Sequence, residues 1–574
     1  MKADLTRDTF YPLKHYSRVL TQQGRVQLDA DINEQAAILL RYLQTLAADL
    51  IGPAGGPFQN CGFQILPLAS NIASDFQIGF GNYYVNGLLC QADFTPIAIF
   101  TTTTANVFQV TNWNSDFEAA TVPYYEVFDA SPGSTLPPVS VQITNPQATQ
   151  NQITIQPTSS GASFAGYPIP MLRRQITYLH QPDLPFSAAS GAVNAPALPT
   201  SGLYQVYLDV WERVITYAED DSIREVALGG PDTAARTKRV WQVKWTQPAI
   251  GAVGEPSCMN IQQLCAQVQA QLQGQGQPHP RGRLQARAKE TSTSKNPCII
   301  NPNASYTGPE NQLYRVEINR GGAAGTTPGV SATFKWSREN GSVFYPITSG
   351  GGTATVVVES LGRDDRFGLV EGNLVETQDD RSVLLNQPGI LLPVLSIDPT
   401  TLTVTLNGTP AAVVGSDEGL HPLLRRWDQQ AGDPTEGGLT LDTANDNCAF
   451  VQEGIWLTLE DGVQIQFQPA DPVQSPPPTP PVNQYLTGDY WLIPARTATG
   501  DVEWPKVTDA KGNPETDSQG NIIPVALPPH GITHYYAPLA VVGGTTTTPD
   551  CRCQFTRPCA DNAATSASAR VAKG

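Results

Sequence analysis

Two histidines and three cysteines near the C-terminus are residue types that bind zinc. His530 and His534 have the i, i+4 spacing that two zinc ligands take on a helix. Prolines before them and tyrosines after them favour extended chain instead, where this spacing places both rings on one strand face. Cys551, Cys553 and Cys559 follow in the tail. Zinc is one interpretation and three thiols without a metal are the other, and we predict no metal site.

Three pairs of adjacent aspartates raise the question of glycan hydrolysis. The pairs are Asp220-Asp221, Asp364-Asp365 and Asp379-Asp380. Glycosidases need two carboxylates about 5 to 10 Å apart across a sugar cleft. Adjacent aspartates are more often solvated turn formers. A cell-wall glycan hydrolase is therefore the less favoured alternative.

Compact catalytic motifs are missing from the sequence. It contains no G-x-S-x-G, no H-E-x-x-H, no G-x-x-x-x-G-K and no dinucleotide fingerprint. Asp29, Asp31 and Asn33 resemble the start of a calcium loop, but Glu34 stands where the sharp turn requires glycine. We interpret the aspartates as helix caps. The sequence predicts a non-enzymatic protein with no catalytic residue and no cofactor.

Composition is typical of a β-rich protein with a neutral polar surface. Lys and Arg number 35 against 52 Asp and Glu, and the net charge of −17 disfavours nucleic acid as a partner. Only 15% of residues are charged, while Gly and Pro number 49 each. The nine cysteines are odd in number and irregularly spaced, which predicts reduced thiols in the cytoplasm. We expect a soluble protein, since no leader and no run of about 18 apolar residues is visible.

One long helix is predicted to begin at Asp29 and to end before Gly52-Pro53. Its apolar residues recur every three or four positions and form a narrow stripe. The stripe contains Leu28, Ile32, Ala36, Leu39, Leu43, Leu46 and Leu50. A narrow stripe is typical of a helix that packs on another helix or subunit, and burial on the protein's own sheet is equally compatible. The residues that we predict to dock to a neighbouring subunit are Leu28, Ile32, Leu39, Leu43 and Leu46.

The remaining sequence predicts a mainly β, multi-domain protein of sandwich and barrel modules with a few short helices. The predicted domains are an arm and helix (1–56), a β domain (57–175), a central β domain (176–345, continued by 426–545), an inserted small β-barrel (346–425) and a tail (546–574). Residues 204–245 and 334–336 are predicted to form the central scaffold. The tryptophans expected in this scaffold or in its interactions are Trp211, Trp241, Trp245, Trp336 and Trp491.

Five blocks of sequence together resemble a family of uncharacterised proteins encoded in gene clusters of contractile injection systems, the phage-tail-like machines of bacteria. The blocks are residues 16–35 (YSRVLTQQGRVQLDADINEQ), 207–245 (YLDVWERVITYAEDDSIREVALGGPDTAARTKRVWQVKW), 310–317 (ENQLYRVE), 334–342 (FKWSRENGS) and 488–505 (GDYWLIPARTATGDVEWP). The tryptophan-rich block is also similar to segments of phage baseplate and tail-fibre proteins.

This resemblance implies a structural subunit at the baseplate or its periphery, attached by the arm and helix and present in multiple copies. The implied partners are baseplate, sheath or fibre subunits, with peripheral contact to a membrane or cell envelope. It implies assembly in the cytoplasm into a particle that is docked at a membrane or released on lysis. The alternative within the same machine is a tail-fibre-like module that binds a surface glycan through exposed Trp and Tyr.

Overall fold

The chain folds into two units, each assembled from separate stretches of sequence. The computed structural model describes residues 2–66, 75–93, 96–101, 106–111, 125–132, 134, 136–159, 161–184, 186–187, 192–193, 195–200, 202–247, 258–272, 281–289, 305–362, 368–411, 414–470, 482–518, 520–543 and 549–556. Unit 1 consists of Met1–Leu40, Glu212–Lys238 and Ala270–Thr533. Unit 2 consists of Arg41–Trp211, Arg239–Gln269 and His534–Gly574. The prediction of a mainly β, multi-domain protein is confirmed.

Three α-helices are present in the described residues: α1 (Asp29–Ile51), α2 (Ile261–Leu272) and α3 (Asp380–Leu384). Helix α1 carries Asp29 and Asp31 in its first turn, where carboxylates interact favourably with the helix dipole. It ends at Gly52, whose φ of 91° is the left-handed conformation common after helices. Its first part belongs to unit 1 and its last part to unit 2.

Unit 2 contains a closed six-stranded barrel and several small sheets. In order around the barrel, the strands are Gln152–Pro157, Val107–Val110, Ile97–Thr101, Pro170–Arg174, Tyr125–Asp129 and Val139–Gln147. The first sheet has four strands, in spatial order Gln554–Phe555, Ala54–Pro57, Gly81–Val85 and Leu88–Ala92, and the second has three, Ile176–Thr177, Gln77–Ile78 and Ile65–Leu66. The third sheet is the pair Phe186–Ser187 and Ala192–Val193. The fourth has three strands, Arg236–Thr246, Tyr204–Ile215 and Tyr535–Val542. Alternate side chains such as Val127, Val141 and Ile153 fill the barrel.

Unit 1 contains a second closed barrel and two sheets. Around this barrel the strands are Phe344–Ser349, Thr355–Val358, Thr403–Leu406, Leu391–Asp398, Leu374–Gln378 and Leu423–Trp427. The sheets are Ala449–Phe450, Thr333–Ser337, Gln312–Arg320, Tyr490–Arg496 and Asp501–Val502; and Arg283–Ala288, Val463–Gln468 and Leu457–Thr458. Both sheets contribute to one apolar core, which includes Phe334 and Phe467.

The two segments predicted to form the central scaffold lie in different sheets. Residues 204–211 belong to unit 2 and residues 334–336 to unit 1, so they do not share a scaffold sheet. The strand Tyr204–Ile215 pairs with Tyr535–Val542, and Gln312–Arg320 pairs with Tyr490–Arg496. These partners lie far away along the chain, and local strand patterns carry no information about such pairings.

The segment 549–556 of the predicted tail belongs to unit 2. Its strand Gln554–Phe555 pairs in parallel with Ala54–Pro57, and Cys551 forms a disulfide with Cys258. The expectation of reduced thiols throughout is therefore wrong. The two cysteines are 293 residues apart in sequence, yet the fold brings their α-carbons to 5.6 Å. Spacing along the chain could not reveal this pairing.

Helix length and polarity bear on the membrane question. Within the described ranges, no helix is both long enough and apolar enough to cross a membrane.

Candidate functional site

The N-terminal arm, residues 2–28, is attached to unit 1 near its start. The Lys2 ammonium lies 2.9 Å from a carboxylate oxygen of Glu317 and 5.5 Å from the Trp427 ring centroid. Burial lowers the pKa of Lys2 to about 8, with Glu317 opposing the shift. Farther along the arm, Arg7 pairs with Glu503 at 2.9 Å. The arm is therefore tethered by charge at two points.

Helix α1 is attached to the rest of the protein through few side chains. Its buried side chains are Ala30 and Ile38. The Gln44 amide donates a hydrogen bond to the Asn86 carbonyl at 3.1 Å. A Cβ on Gly87 would lie 2.0 Å from the Gln44 carbonyl oxygen, so only glycine allows this turn to approach the helix. The attached side of α1 is thus not its leucine stripe.

The five predicted docking residues, here called the docking stripe, are exposed. Their exposed fractions are 41% for Leu28, 60% for Ile32, 54% for Leu39, 65% for Leu43 and 56% for Leu46. Burial of this stripe on the protein's own sheet is therefore not observed among the described residues. Single exposed leucines are ordinary on protein surfaces, but a contiguous row of them is characteristic of an interaction site.

Large apolar side chains of the arm extend this exposed surface. They are Tyr11, Leu13, Tyr16, Leu20 and Val26, and each is more than half exposed. On α1 itself, Leu40, Tyr42 and Leu50 are exposed beside the docking stripe. Residues 2–50 therefore expose a large apolar surface that the other described residues do not cover.

Four of the five tryptophans predicted for the central scaffold or its interactions are buried. Those that are buried are Trp211, Trp241, Trp336 and Trp491. Trp245 is half-buried against the Tyr204 ring at 6.0 Å. The Trp491 indole donates to the Leu527 carbonyl at 3.0 Å, so its polar end is satisfied within the chain. These four buried tryptophans pack inside the described fold and are not exposed to a glycan or to another subunit.

The two histidines considered as a zinc pair have separate partners. His534 Nδ1 lies 2.7 Å from Asp209 Oδ1, and its ring stacks on Trp211 with centroids 4.9 Å apart. The His530 ring packs on Tyr490 at 5.6 Å. In the part of the chain that the structure describes, no three His, Cys, Asp or Glu side chains are grouped as metal ligands.

The cysteines considered as zinc ligands also differ in their surroundings. Cys551 is in the disulfide, and Cys553 is an exposed free thiol. Cys559 lies outside the described residues.

A carboxylate cluster in unit 1 contains one of the aspartate pairs. The Arg213 guanidinium lies 2.5 Å from Glu219 and 3.7 Å from Asp380. His421 Nδ1 lies 2.8 Å from Asp380. The neighbouring Asp379 caps α3, as expected for a structural aspartate. The sequence pattern did not connect these residues, since they come from three distant segments.

Two groups of this cluster have shifted pKa values. Burial raises the pKa of Glu219 to about 7, with Arg213 opposing the shift and Asp380 adding to it. The hydrogen bond to Asp380 raises the pKa of His421. A carboxyl group that keeps a proton near neutral pH, close to a second carboxylate, has the protonation state of a general acid.

A family model covers most of the chain, matching residues 1–131, 177–252 and 249–572. The chain belongs to the DUF6519 family. DUF6519 is described as a family of unknown function. No curated protein and no solved structure matches the chain. The matched ranges of this DUF6519 protein include the arm, the docking stripe and the carboxylate cluster, whereas the unmatched residues 132–176 fall mostly within the barrel of unit 2.

Proposed function

We propose that this DUF6519 protein is a non-enzymatic structural subunit of a contractile injection system, at the baseplate or its periphery. In this proposal it docks to neighbouring subunits through the arm and α1. The observation that carries the proposal is the exposed docking stripe on a helix whose buried side chains, Ala30 and Ile38, lie away from the stripe. A leucine row that faces solvent is stabilised when another subunit covers it.

The size of the apolar surface supports docking by the arm and helix together. Fully burying a Leu or Ile side chain contributes about 1.5–3 kcal/mol, so five half-exposed side chains contribute roughly 4–8 kcal/mol. Association costs at least about 4 kcal/mol in lost freedom of motion. The docking stripe alone therefore forms a weak interface. The exposed tyrosines and leucines of the arm supply the additional area that a stable attachment needs.

The resemblance to proteins of injection-system gene clusters supports the setting. The protein would be assembled in the cytoplasm with baseplate, sheath or fibre subunits, and it would occur in several copies per particle. Release on lysis would place it in an oxidising environment, in which the Cys258–Cys551 disulfide is maintained. The β domains that follow the arm and helix would be free for peripheral contact with a cell envelope.

Loss of the subunit from isolated particles is the expected result of charging the docking stripe. The variant Leu39→Glu, Leu43→Glu and Leu46→Glu would be expressed tagged within the gene cluster, and the tag located by electron microscopy. We expect the tag at the baseplate in wild type and at least tenfold less of it in the variant, since burying three carboxylates opposes docking. The folded protein should lose little stability, because exposed substitutions change it by about 0.5 kcal/mol or less each.

The matched control places the same charges on exposed aliphatic residues elsewhere in unit 1. It is Val226→Glu, Leu228→Glu and Val330→Glu. Its occupancy should equal that of wild type. If the stripe variant occupies the particles as fully as wild type, α1 is not the attachment. If intact particles form when the subunit is absent, the structural role is contradicted.

Glycan hydrolysis is a second candidate function, favoured by the carboxylate cluster. Glu219 would serve as the general acid and Asp380 as the second carboxylate. The two carboxyl groups are close enough to hydrogen-bond, which is nearer than the roughly 5 to 10 Å of a sugar cleft, so this is the weaker candidate. If purified protein degrades cell-wall glycan in a gel assay, Glu219→Gln should lower the rate at least about 100-fold. Glu225→Gln, which changes an exposed carboxylate nearby, is the control. An inactive wild-type protein would remove this candidate.

A further inference from the structure

Six exposed apolar residues of α1 follow a heptad repeat. From Ile32 onward they alternate in steps of four and three, which assigns them to the core positions a and d of a coiled coil. The a positions are Ala36, Leu43 and Leu50, and the d positions are Ile32, Leu39 and Leu46. All six are exposed. Helix α1 therefore carries a complete coiled-coil seam that no described residue covers.

The seam faces away from the side on which α1 is attached. The buried Ala30 and Ile38 occupy positions b and c, and Gln44, which bonds to Asn86, occupies position b. These positions lie opposite a and d on a helix. The seam runs over 19 residues, about 28 Å at 1.5 Å per residue, and is open to a partner helix along that length.

The positions that flank the seam carry almost no charge. The e positions are Asn33, Leu40 and Ala47, and the g positions are Leu28, Gln35, Tyr42 and Asp49. Charges at e and g normally select the partner of a coiled coil and repel a wrong one. Here only Asp49 is charged, so nothing repels an identical helix although the chain as a whole carries a net charge of −17. A partner helix with charged e and g positions would form almost no ion pairs with these nearly uncharged flanks.

We propose that the seam of α1 packs against the α1 seam of a second copy of this chain; this inference rests on the proposed docking function and names the partner. Identical seams are self-complementary, because the a and d side chains of one helix fit the holes between those of the other. The C-terminal segment 557–574 is a poor alternative occupant, since Val571 is its one large aliphatic residue. A seam of fewer than three heptads forms a weak contact, which several copies on one particle strengthen.

Sedimentation velocity on the purified full chain, from about 1 to 100 µM, tests the association itself. We expect a monomer at the low end and a dimer or larger species at the high end. A wild-type chain that stays monomeric throughout would overturn the inference.

Charge complementation tests whether the α1 seam is the contact. One variant carries Leu40→Glu, Tyr42→Glu and Ala47→Glu, and the other carries lysine at the same three positions. Each variant alone should associate at least ~100-fold more weakly than wild type, because like charges face each other in either helix orientation. An equal mixture should associate again. Unchanged association of either single variant, or no recovery in the mixture, would contradict an α1–α1 contact.

The two proposals fail in distinguishable ways. If the wild-type chain is monomeric but the stripe variant is still lost from particles, the partner is a different subunit and only this inference is overturned. If the stripe variant also keeps its place in particles, the docking function itself fails.

Discussion

Replacing Lys335 by methionine is expected to destabilise unit 1 by about 3–5 kcal/mol, because it leaves the Glu376 carboxylate buried without its counter-ion. Both side chains are fully buried, and the Lys335 ammonium lies 2.6 Å from a Glu376 oxygen. Breaking one half of such a pair leaves a buried charge that has lost its direct partner and is opposed only by the more distant Lys2. The expected loss is a large fraction of the stability of a typical domain.

Two further hydrogen bonds hold the Glu376 carboxylate in place, so the side chain cannot turn toward solvent when Lys335 is removed. The Trp427 indole donates to one carboxylate oxygen and the Gly389 amide to the other, both at 2.8 Å. Lys335 lies on the sheet strand Thr333–Ser337, and Glu376 lies on the barrel strand Leu374–Gln378. The pair therefore connects the sheet and the barrel of unit 1.

Urea unfolding of wild type and variants measures this effect. Lys506→Met is the matched control, because its pair with Asp501 is 40% exposed on both sides and should contribute less than about 1 kcal/mol. The double variant Lys335→Met and Glu376→Leu should recover much of the loss, since it removes both buried charges. A loss for Lys335→Met no greater than for Lys506→Met would contradict the argument.

The pH dependence gives a further test of the same pair. Burial acts to raise the pKa of Glu376, but Lys335, Lys2 and the hydrogen bonds outweigh it, so the pKa lies below its usual value of 4.5. The stabilisation is therefore present above about pH 4.5 and is lost as the pH falls through the lower folded-state pKa. In Lys335→Met the larger of the two opposing charges is gone and only Lys2 remains, so Glu376 accepts a proton more easily. The penalty of this variant should shrink as the pH falls.

Removing the Cys258–Cys551 disulfide by Cys551→Ser is expected to lower the stability of unit 2 by about 3 kcal/mol or more. The two cysteines are 293 residues apart. For a loop of this size, the chain-entropy relation gives roughly 5–6 kcal/mol, and measured losses are commonly about 2–5 kcal/mol. The strand Gln554–Phe555 should detach first, since it follows the bridge directly and pairs with Ala54–Pro57.

Peptide mapping without reductant, together with urea unfolding, checks this expectation. The wild-type digest should contain a linked pair of peptides bearing Cys258 and Cys551. Cys553→Ser is the control, because Cys553 is an exposed free thiol two residues away and its change should leave the bridge and the unfolding midpoint unaltered. An unfolding midpoint that neither Cys551→Ser nor reductant shifts would contradict a stabilising bridge.

Two Asn-Gly turns show which features of the fold the local sequence predicts. Asn86-Gly87 predicts a hairpin, and Val85 pairs with Leu88 across a turn in which both residues have positive φ. Asn340-Gly341 has the same conformation, but the strand before it pairs within the five-stranded sheet and the strand after it enters the barrel. The dipeptide determines the turn, whereas the strand partners depend on distant residues.

The candidate site shows the same division. The four-and-three spacing of the leucines predicts that Leu39, Leu43 and Leu46 share one helix face, because the helical period is local. Whether that face is covered depends on what the rest of the chain brings to it. Glu219 and Asp380 lie close together in the fold but are 161 positions apart in the chain. A pattern of local spacing cannot detect such a pair.

By itself, the sequence determined the mainly β class, the polar and acidic character, and the period of the apolar residues, since composition and period follow from side-chain chemistry and backbone geometry. Only the tertiary structure decided that Trp336 and Trp491 are buried, that Cys258 meets Cys551, and that the leucines of α1 face solvent. Burial is a property of a residue's neighbours in space. In this chain those neighbours come from segments hundreds of residues apart, which no local pattern encodes.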